Sequence, residues 1–329
     1  MFKAKINSIA VSHGKKVVDN EYYFEHFKKK GKDIEHFFKD VLGRDKRYMI
    51  DNDKENTMTL AVDAAEAALK KSGLTGADMD MVIFSSQLPE YVAPPSSIYL
   101  HGILKGKKSC ICYDVNTNCT GMTICYEQAV KYMSVTPHVK RVLIVGCDYI
   151  SITIDPDDER FHGHYGDAAC AIVLEKTDTE AGLIDSIVST ISDQYDAAIF
   201  PPNGVSNMLR YMNMENRYLK STQNDFDVPK EGVYSITSIL ERNNLKIDDI
   251  SVFCFSQYAV INIQKIREEL GIKEERCLYI GDEYGYTGTT SPFIAFYEAE
   301  KRGLIKRGDY YIMWTIGAGM EHIGILCKY

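Results

Sequence analysis

No apolar run in the 329-residue sequence approaches the roughly 18 residues that a membrane-spanning helix needs, so no transmembrane segment is expected. The start, Met1-Phe2-Lys3-Ala4-Lys5-Ile6, lacks the apolar core and small-residue cleavage site of a secretory leader. Paired metal-ligand spacing is missing among the nine cysteines, which are odd in number and scattered. Several fall inside strand-like runs, Ser109-Cys110-Ile111-Cys112 and Val252-Phe253-Cys254-Phe255 among them. They read as reduced and buried, with no metal expected and the cytoplasm as the expected compartment. A basic excess is absent too. With 38 Lys and Arg against 46 Asp and Glu, the net charge of −8 argues against nucleic acid and leaves small molecules or proteins as substrates.

What is present is a well-patterned globular chain, 45% hydrophobic and 26% charged, long enough for one large domain or two similar halves. Self-comparison favours halves. At an offset of 171 residues, Leu74, Asp78, Phe84 and Ser85 fall on Leu245, Asp249, Phe255 and Ser256. Without a gap, helix-like segment 61–72 falls on 232–243, and Tyr113, Tyr126 and Glu127 fall on Tyr284, Tyr297 and Glu298. The expected division is 1–176 and 177–329. Short apolar strands are expected at 81–85, 109–115, 141–147 and 168–175, and again at 251–255, 276–280, 310–315 and 321–328, alternating with amphipathic helices in mixed sheets. The interval from about 194 to 228, rich in Asn, Met, Tyr and Pro and without periodicity, reads as an insertion that caps a pocket.

Tyr113 to Met122 reads as a buried strand turning sharply into a helix, with the thiol of Cys119 at its first turn. Unpaired N–H groups and the positive helix end favour a thiolate there, the form that attacks thioesters. The helix from Cys119 to about Met133 is apolar around most of its circumference and is expected between two sheets.

Four segments in order then carry a resemblance: the elbow Asn118-Cys119-Thr120-Gly121; the strand entry His164-Tyr165-Gly166-Asp167-Ala168-Ala169; Tyr284-Gly285-Tyr286-Thr287-Gly288; and Gly303 to Asp309 followed by Gly317-Ala318-Gly319. Together they resemble the thiolase superfamily, in particular the ketoacyl-acyl-carrier-protein synthase III group of condensing enzymes, over nearly the whole chain. The resemblance implies an α/β thiolase fold, a five-layered αβαβα sandwich of duplicated halves, in a homodimer. It implies Cys119 as acyl-carrying nucleophile and an oxyanion hole from the backbone N–H groups of Cys119 and Ala318. The family's other two catalytic residues, a His and an Asn, are replaced: Ser256 stands at the first place and Tyr286 at the second. Since those side chains stabilise the enolate formed by malonyl decarboxylation, ordinary decarboxylative condensation is expected to be slow. His164, His162 and His322 are alternative bases.

The implied substrate arm is the phosphopantetheine of acyl carrier protein or of coenzyme A, with no permanently bound cofactor. Phe37 stands where the family stacks an aromatic ring on coenzyme A, but Val41 replaces the arginine beside it, which favours a carrier-protein donor. Lys265 and Arg267 are candidates for docking an acidic carrier. The expected activity is an acyltransferase of fatty-acid-like, polyketide or secondary-metabolite biosynthesis. The alternative is a weakly catalytic or non-catalytic partner in a heterodimer with a homologous synthase.

Overall fold

The computed structural model describes residues 3–212, 217–222 and 226–329. Met1 and Phe2, and the stretches 213–216 and 223–225 of the expected insertion, lie outside the described residues. The first half runs β1 (Lys3–His13), β2 (Lys16–Asp19), α1 (Asn20–Lys28), β3 (Lys46–Met49), α2 (Thr57–Ser72), β4 (Met81–Ser85), α3 (Ser96–Ile103), β5 (Ile111–Val115), α4 (Gly121–Val135), β6 (Arg141–Asp148) and β7 (Ala168–Thr177). The second runs β8 (Gly182–Thr190), β9 (Ala198–Ile199), α5 (Val205–Tyr211), β10 (Lys220–Ser221), α6 (Val228–Arg242), β11 (Ile250–Phe255), α7 (Val260–Leu270), α8 (Gly281–Tyr284), α9 (Ser291–Lys301), β12 (Tyr310–Gly317) and β13 (Glu321–Lys328).

Two sheets form the body, one in the order β1-β7-β6-β4-β5 and the other β11-β12-β13-β8. In the first, β4 runs parallel to β5 and β6 while β7 returns antiparallel; in the second, β11 and β12 are parallel and β13 and β8 antiparallel. Apolar contacts divide into layers. One cluster packs α2 on the outer face of the first sheet, another packs α6 and α7 on the outer face of the second, and a third fills the space between with α4 and α9. These are the five layers of a thiolase fold. Helix α4 is buried at Met122, Ile124, Cys125, Tyr126, Ala129 and Met133, because both sheets press on it.

The duplication is visible in backbone chemistry as well as in element order. Thr75 N–H donates to the Asp78 carboxylate at 2.8 Å, and Lys246 N–H, at the same offset, donates to Asp249 at 2.7 Å. Each bond closes a 3₁₀ turn that leads into β4 or β11. A second pair of 3₁₀ turns, Asn118–Thr120 and Gly288–Thr290, opens α4 and α9. These turns touch at the centre of the molecule, where the Met122 N–H donates to Thr289 Oγ1 at 2.7 Å. The two central helices thus meet with their N-termini together.

Two expectations are corrected. Residues 276–280 do not form a strand; a single parallel bridge, Phe253 to Cys277, is all that remains. Side chains take the places of the ladder: Gln257 Oε1 accepts the Ile280 N–H at 2.8 Å, Gln257 Nε2 donates to the Phe255 carbonyl at 2.8 Å, and the Arg276 guanidinium donates to the carbonyls of Ile247 and Ile250. Cys119 also lies on the 3₁₀ turn ahead of α4, which itself begins at Gly121. Among the described residues, no helix is long and apolar enough to cross a membrane.

Candidate active site

Several parallel strands end on one small region. Cys119 follows β5, Gln87 follows β4, Asp148 ends β6, Ser256 to Tyr258 follow β11, and Gly317 and Ala318 close β12. The carboxyl ends of parallel strands are where open α/β sheets place ligands. The elbow is built from tight contacts. Asn118 sits at φ +50°, a left-handed conformation that asparagine tolerates better than most residues, and its Nδ2 donates to the Ala318 carbonyl at 3.0 Å. At Gly121 a Cβ would lie 2.2 Å from Ser85 Oγ, so only glycine lets β4 approach the first turn of α4. Thr315 Oγ1 donates to the Cys119 carbonyl at 3.2 Å, tying the elbow to the second sheet.

Cys119 is buried; the Gln87 amide donates to its sulfur, with Nε2 3.8 Å away, and the Tyr286 phenol lies near enough to favour the thiolate. The position at a helix start suggests a depressed pKa. Burial wins instead and pushes the thiol up to about 12. Tyr286, Gln87 and the residue's own N–H pull it down, while the neighbouring Asp148 carboxylate adds to the rise. Burial also holds the Tyr286 phenol well above its usual range, so it stays protonated and donates. Its backbone is gripped on both sides: Tyr286 N–H donates to His164 O, and Gly166 N–H donates to Tyr286 O, each at 3.0 Å.

Gln87 is aimed at the sulfur by Asp148. One carboxylate oxygen accepts from Gln87 Nε2 at 3.0 Å and from Thr289 N–H at 2.9 Å; the other accepts from Gln87 N–H at 3.0 Å and Ser86 Oγ at 3.3 Å. Burial raises this carboxyl, and the four donors oppose the rise. Ser256 is buried at the end of β11, where its N–H donates to Trp314 O at 2.8 Å. Its hydroxyl approaches the Tyr286 phenol without forming a well-aligned hydrogen bond.

Cys119, Tyr286 and Ala318 line one cavity of about 370 Å³. Its apolar walls include Ile150, Phe161 and Ile316 from the body and Ala197, Phe200, Leu219 and Phe226 from the interval 194–228. Leu219 N–H donates to the Thr153 carbonyl at 2.7 Å, which fastens that interval over the cavity. Tyr258 also lines the cavity, edge-on to Tyr286 with ring centres 5.3 Å apart.

The other candidates lie elsewhere. His164 is buried behind this wall, 4.7 Å from the Tyr258 ring and 5.6 Å from the Tyr286 ring, and neither ring nitrogen has a hydrogen-bond partner among the described residues. Burial, with Arg44 and Arg47 nearby, holds its pKa well below the usual range, so it is neutral. His162 packs on Tyr23 and His26, away from the thiol. His322 is turned to the opposite face of its sheet: strand alternation sends Glu321 to Thr120 Oγ1, at 2.8 Å, and His322 to Ser235 and Glu231 on α6, at 3.2 Å each. Phe37 packs beside Phe38 near the start of α7 and does not line the cavity. On α7, Arg267 is paired with Glu274 at 2.9 Å, and exposed Lys265 shares a shallow depression with Glu268 and Glu269.

Arg44 is buried with no carboxylate partner among the described residues. It donates to the carbonyls of Leu42, His164, Gln257 and Tyr258 and to the Tyr279 hydroxyl, so it holds together the segments that carry His164, Ser256 and Tyr258. Sequence reasoning assigns no role to Arg44, Asp148 or Tyr258, and reads Gln87 to Pro95 as a segment that lines the tunnel, crosses a dimer interface or is simply a loop fixed by its prolines. The strand-end rule singles out all of these but Arg44.

Known proteins resemble this chain in sequence and in fold. Family profiles for 3-oxoacyl-[acyl-carrier-protein (ACP)] synthase III match residues 113–192, and for its C-terminal part residues 240–329, together just over half of the chain. The chain is 28% identical to a beta-ketoacyl-[acyl-carrier-protein] synthase III of Clostridium perfringens over the full length of both. It superposes on 3-oxoacyl-[acyl-carrier-protein] synthase III of Aquifex aeolicus with a TM-score of 0.86 at 21% identity, covering 99% of this chain and 100% of that one. The priming beta-ketosynthase of the R1128 polyketide pathway gives 0.87 at 18% identity, with 99% and 96% covered.

Proposed function

Because the chain belongs to the 3-oxoacyl-[acyl-carrier-protein] synthase III family of acyl-transferring condensing enzymes, we propose that it takes an acyl group from a phosphopantetheine thioester onto Cys119 and passes it to an acceptor other than a standard malonyl enolate. One observation carries this reading: a buried thiol, approached by a protonated phenol and an amide, at the wall of a cavity with a mixed polar and apolar lining.

In the first half-reaction the Cys119 sulfur attacks the thioester carbonyl. Its bond to carbon forms as the oxygen takes up negative charge beside the N–H groups of Cys119 and Ala318. The bond to the carrier sulfur then breaks, and that sulfur receives the proton Cys119 gives up. Tyr286 and Gln87 lower the cost of separating charge at the buried sulfur by donating to it. In the second half-reaction an amine, an alcohol or an already activated carbon acid attacks the acyl-enzyme and releases the thiol. Decarboxylation is disfavoured because Tyr286 and Ser256 stand where the family has an Asn and a His, and the Ser256 hydroxyl does not line the cavity. A carrier protein is the favoured donor: the nearby guanidinium of Arg44 is buried on backbone carbonyls and out of reach of an adenine ring.

The functional unit we propose is a homodimer. Supporting it, β5 is an edge strand of its sheet, and the adjoining α3 exposes Ile98, Tyr99 and Ile103.

Incubation of the protein with acyl-carrier-protein and acyl-coenzyme A thioesters, followed by intact-mass analysis, tests the reading. An acyl adduct in the wild type that is absent from Cys119→Ala is expected. No adduct with any donor would overturn it.

A further inference from the structure

A second group of reactive side chains lies away from the cavity, under the edge of the first sheet. Cys110 immediately precedes β5 and Cys112 lies within it, two residues on, so their side chains share one face of the extended chain, the face that packs toward α3. His101 is in the last turn of α3. The fold brings a ring nitrogen of His101 and the two sulfurs within 4.8 Å of one another. Sequence spacing gave no sign of this, because the Cys-x-Cys pair has no second pair and the histidine comes from a different element.

The imidazole is held as a metal-bound histidine is held. Its Nε2 lies 3.0 Å from the Lys107 carbonyl, a hydrogen bond that puts the proton on Nε2 and leaves the Nδ1 lone pair free. Gly106 makes this possible: a Cβ there would lie 2.2 Å from the His101 ring, so the turn closes against the imidazole only with glycine. All three residues are half-buried in the single chain. Asp80, the adjacent carboxylate, is occupied by the Lys107 ammonium and the N–H groups of Lys140 and Arg141.

We propose that His101, Cys110 and Cys112 form a binding site for a thiophilic divalent cation, zinc in the first instance, with water as fourth ligand. Two thiolates and a neutral imidazole are a soft donor set of the kind that selects zinc over magnesium or calcium. Tetrahedral zinc places its ligand atoms roughly 3.5 Å apart, so atoms now within 4.8 Å of one another need to close by about 1.3 Å at most. Binding releases the two thiol protons to solvent, and the charges of cation and thiolates cancel. The ion ties edge strand β5 to α3.

The test uses untagged full-length protein, stripped with a chelator, kept reduced with a phosphine and titrated with Co²⁺. The expected result is one equivalent bound, with a thiolate-to-cobalt charge-transfer band and the visible bands of tetrahedral cobalt, all displaced by Zn²⁺. Cys110→Ser and Cys112→Ser lose the charge-transfer band, whereas Cys119→Ala retains it. His101→Gln, which keeps both sulfurs, weakens binding by at least about tenfold. Thermal unfolding of the metal-free proteins reports that each variant is folded, and Zn²⁺ raises the midpoint of the wild type and of Cys119→Ala but not of Cys110→Ser or Cys112→Ser. Absence of the band at one equivalent, a band that survives both cysteine substitutions, or unchanged affinity in His101→Gln overturns the proposal.

Discussion

Tyr286 is the residue whose substitution separates chemistry from folding most cleanly. Its phenol is the first of the groups that ease ionisation of Cys119, while its ring also fills space against Tyr165 and Tyr258. Tyr286→Phe keeps the ring and removes the donor. Acyl loading of Cys119, followed by rapid-quench mass analysis, is expected to slow roughly 10- to 100-fold, matching about 1.5–3 kcal/mol for a hydrogen bond to a charged group. Asp167 gives a second prediction, about stability. Burial raises its carboxyl to about 7 despite hydrogen bonds from Ile50 N–H at 2.9 Å and Ser151 Oγ at 2.7 Å. An unfolded Asp titrates near pH 3.9. Between those values the folded chain holds a proton that the unfolded chain has lost, so stability falls as pH rises from about 4 to 7 and then levels. The full change is of order 4 kcal/mol. Urea denaturation of wild type and Asp167→Asn across that range checks it; the variant is expected to lose the slope. Cys119 was legible in the sequence because a strand, a turn and small neighbours announce it. Its ionisation was not, because burial depends on what the second half of the chain lays over the elbow.

At the scale of elements, the interval from 194 to 228 contributes side chains to the cavity wall, and in the proposed reaction it would bear on substrate choice. Phe200, Leu219 and Phe226 stand in the cavity wall opposite residues of the body. Leu219→Ala enlarges the cavity, and competition between short and longer acyl donors, read by intact mass, is expected to shift toward the longer by a factor of several, since a methylene or two in an apolar pocket is worth about 1–3 kcal/mol. Unchanged chain preference would mean that the acyl group does not reach this wall. The absence of periodicity marked this interval as unlike the rest, but only the fold shows which of its side chains turn inward. The predicted strand at 276–280 failed for a similar reason. Its composition suits a strand, yet Gln257 and Arg276 occupy the backbone groups that a ladder would use. Side-chain competition of this kind across 20 or more residues leaves no local signature.

At the scale of the molecule, the repeat was readable because both halves need the same sequence of capped turn, buried strand and central helix to cover one another. Seen this way, Ser256 is the counterpart of Ser85, and each ends a parallel strand beside the central pair of 3₁₀ turns. The proposed self-association has less of a signature in the sequence, since it depends on which strand the topology leaves at an edge. Sedimentation equilibrium is expected to return the mass of two chains, and the double substitution Ile98→Glu with Ile103→Glu to shift the protein toward the monomer. A monomeric wild type at micromolar concentration would contradict the proposed dimer.

The seam where α4 and α9 meet has a further consequence. Two positive helix ends face each other there, and Asp148 is the resident anion between them, its carboxylate bound to Thr289 and Gln87. A thiolate at Cys119 is therefore a second negative charge in a place already neutralised, which is why Asp148 opposes its formation. Peroxide attacks thiolates, so the nucleophile proposed here, held protonated by burial, is expected to resist oxidation between turnovers.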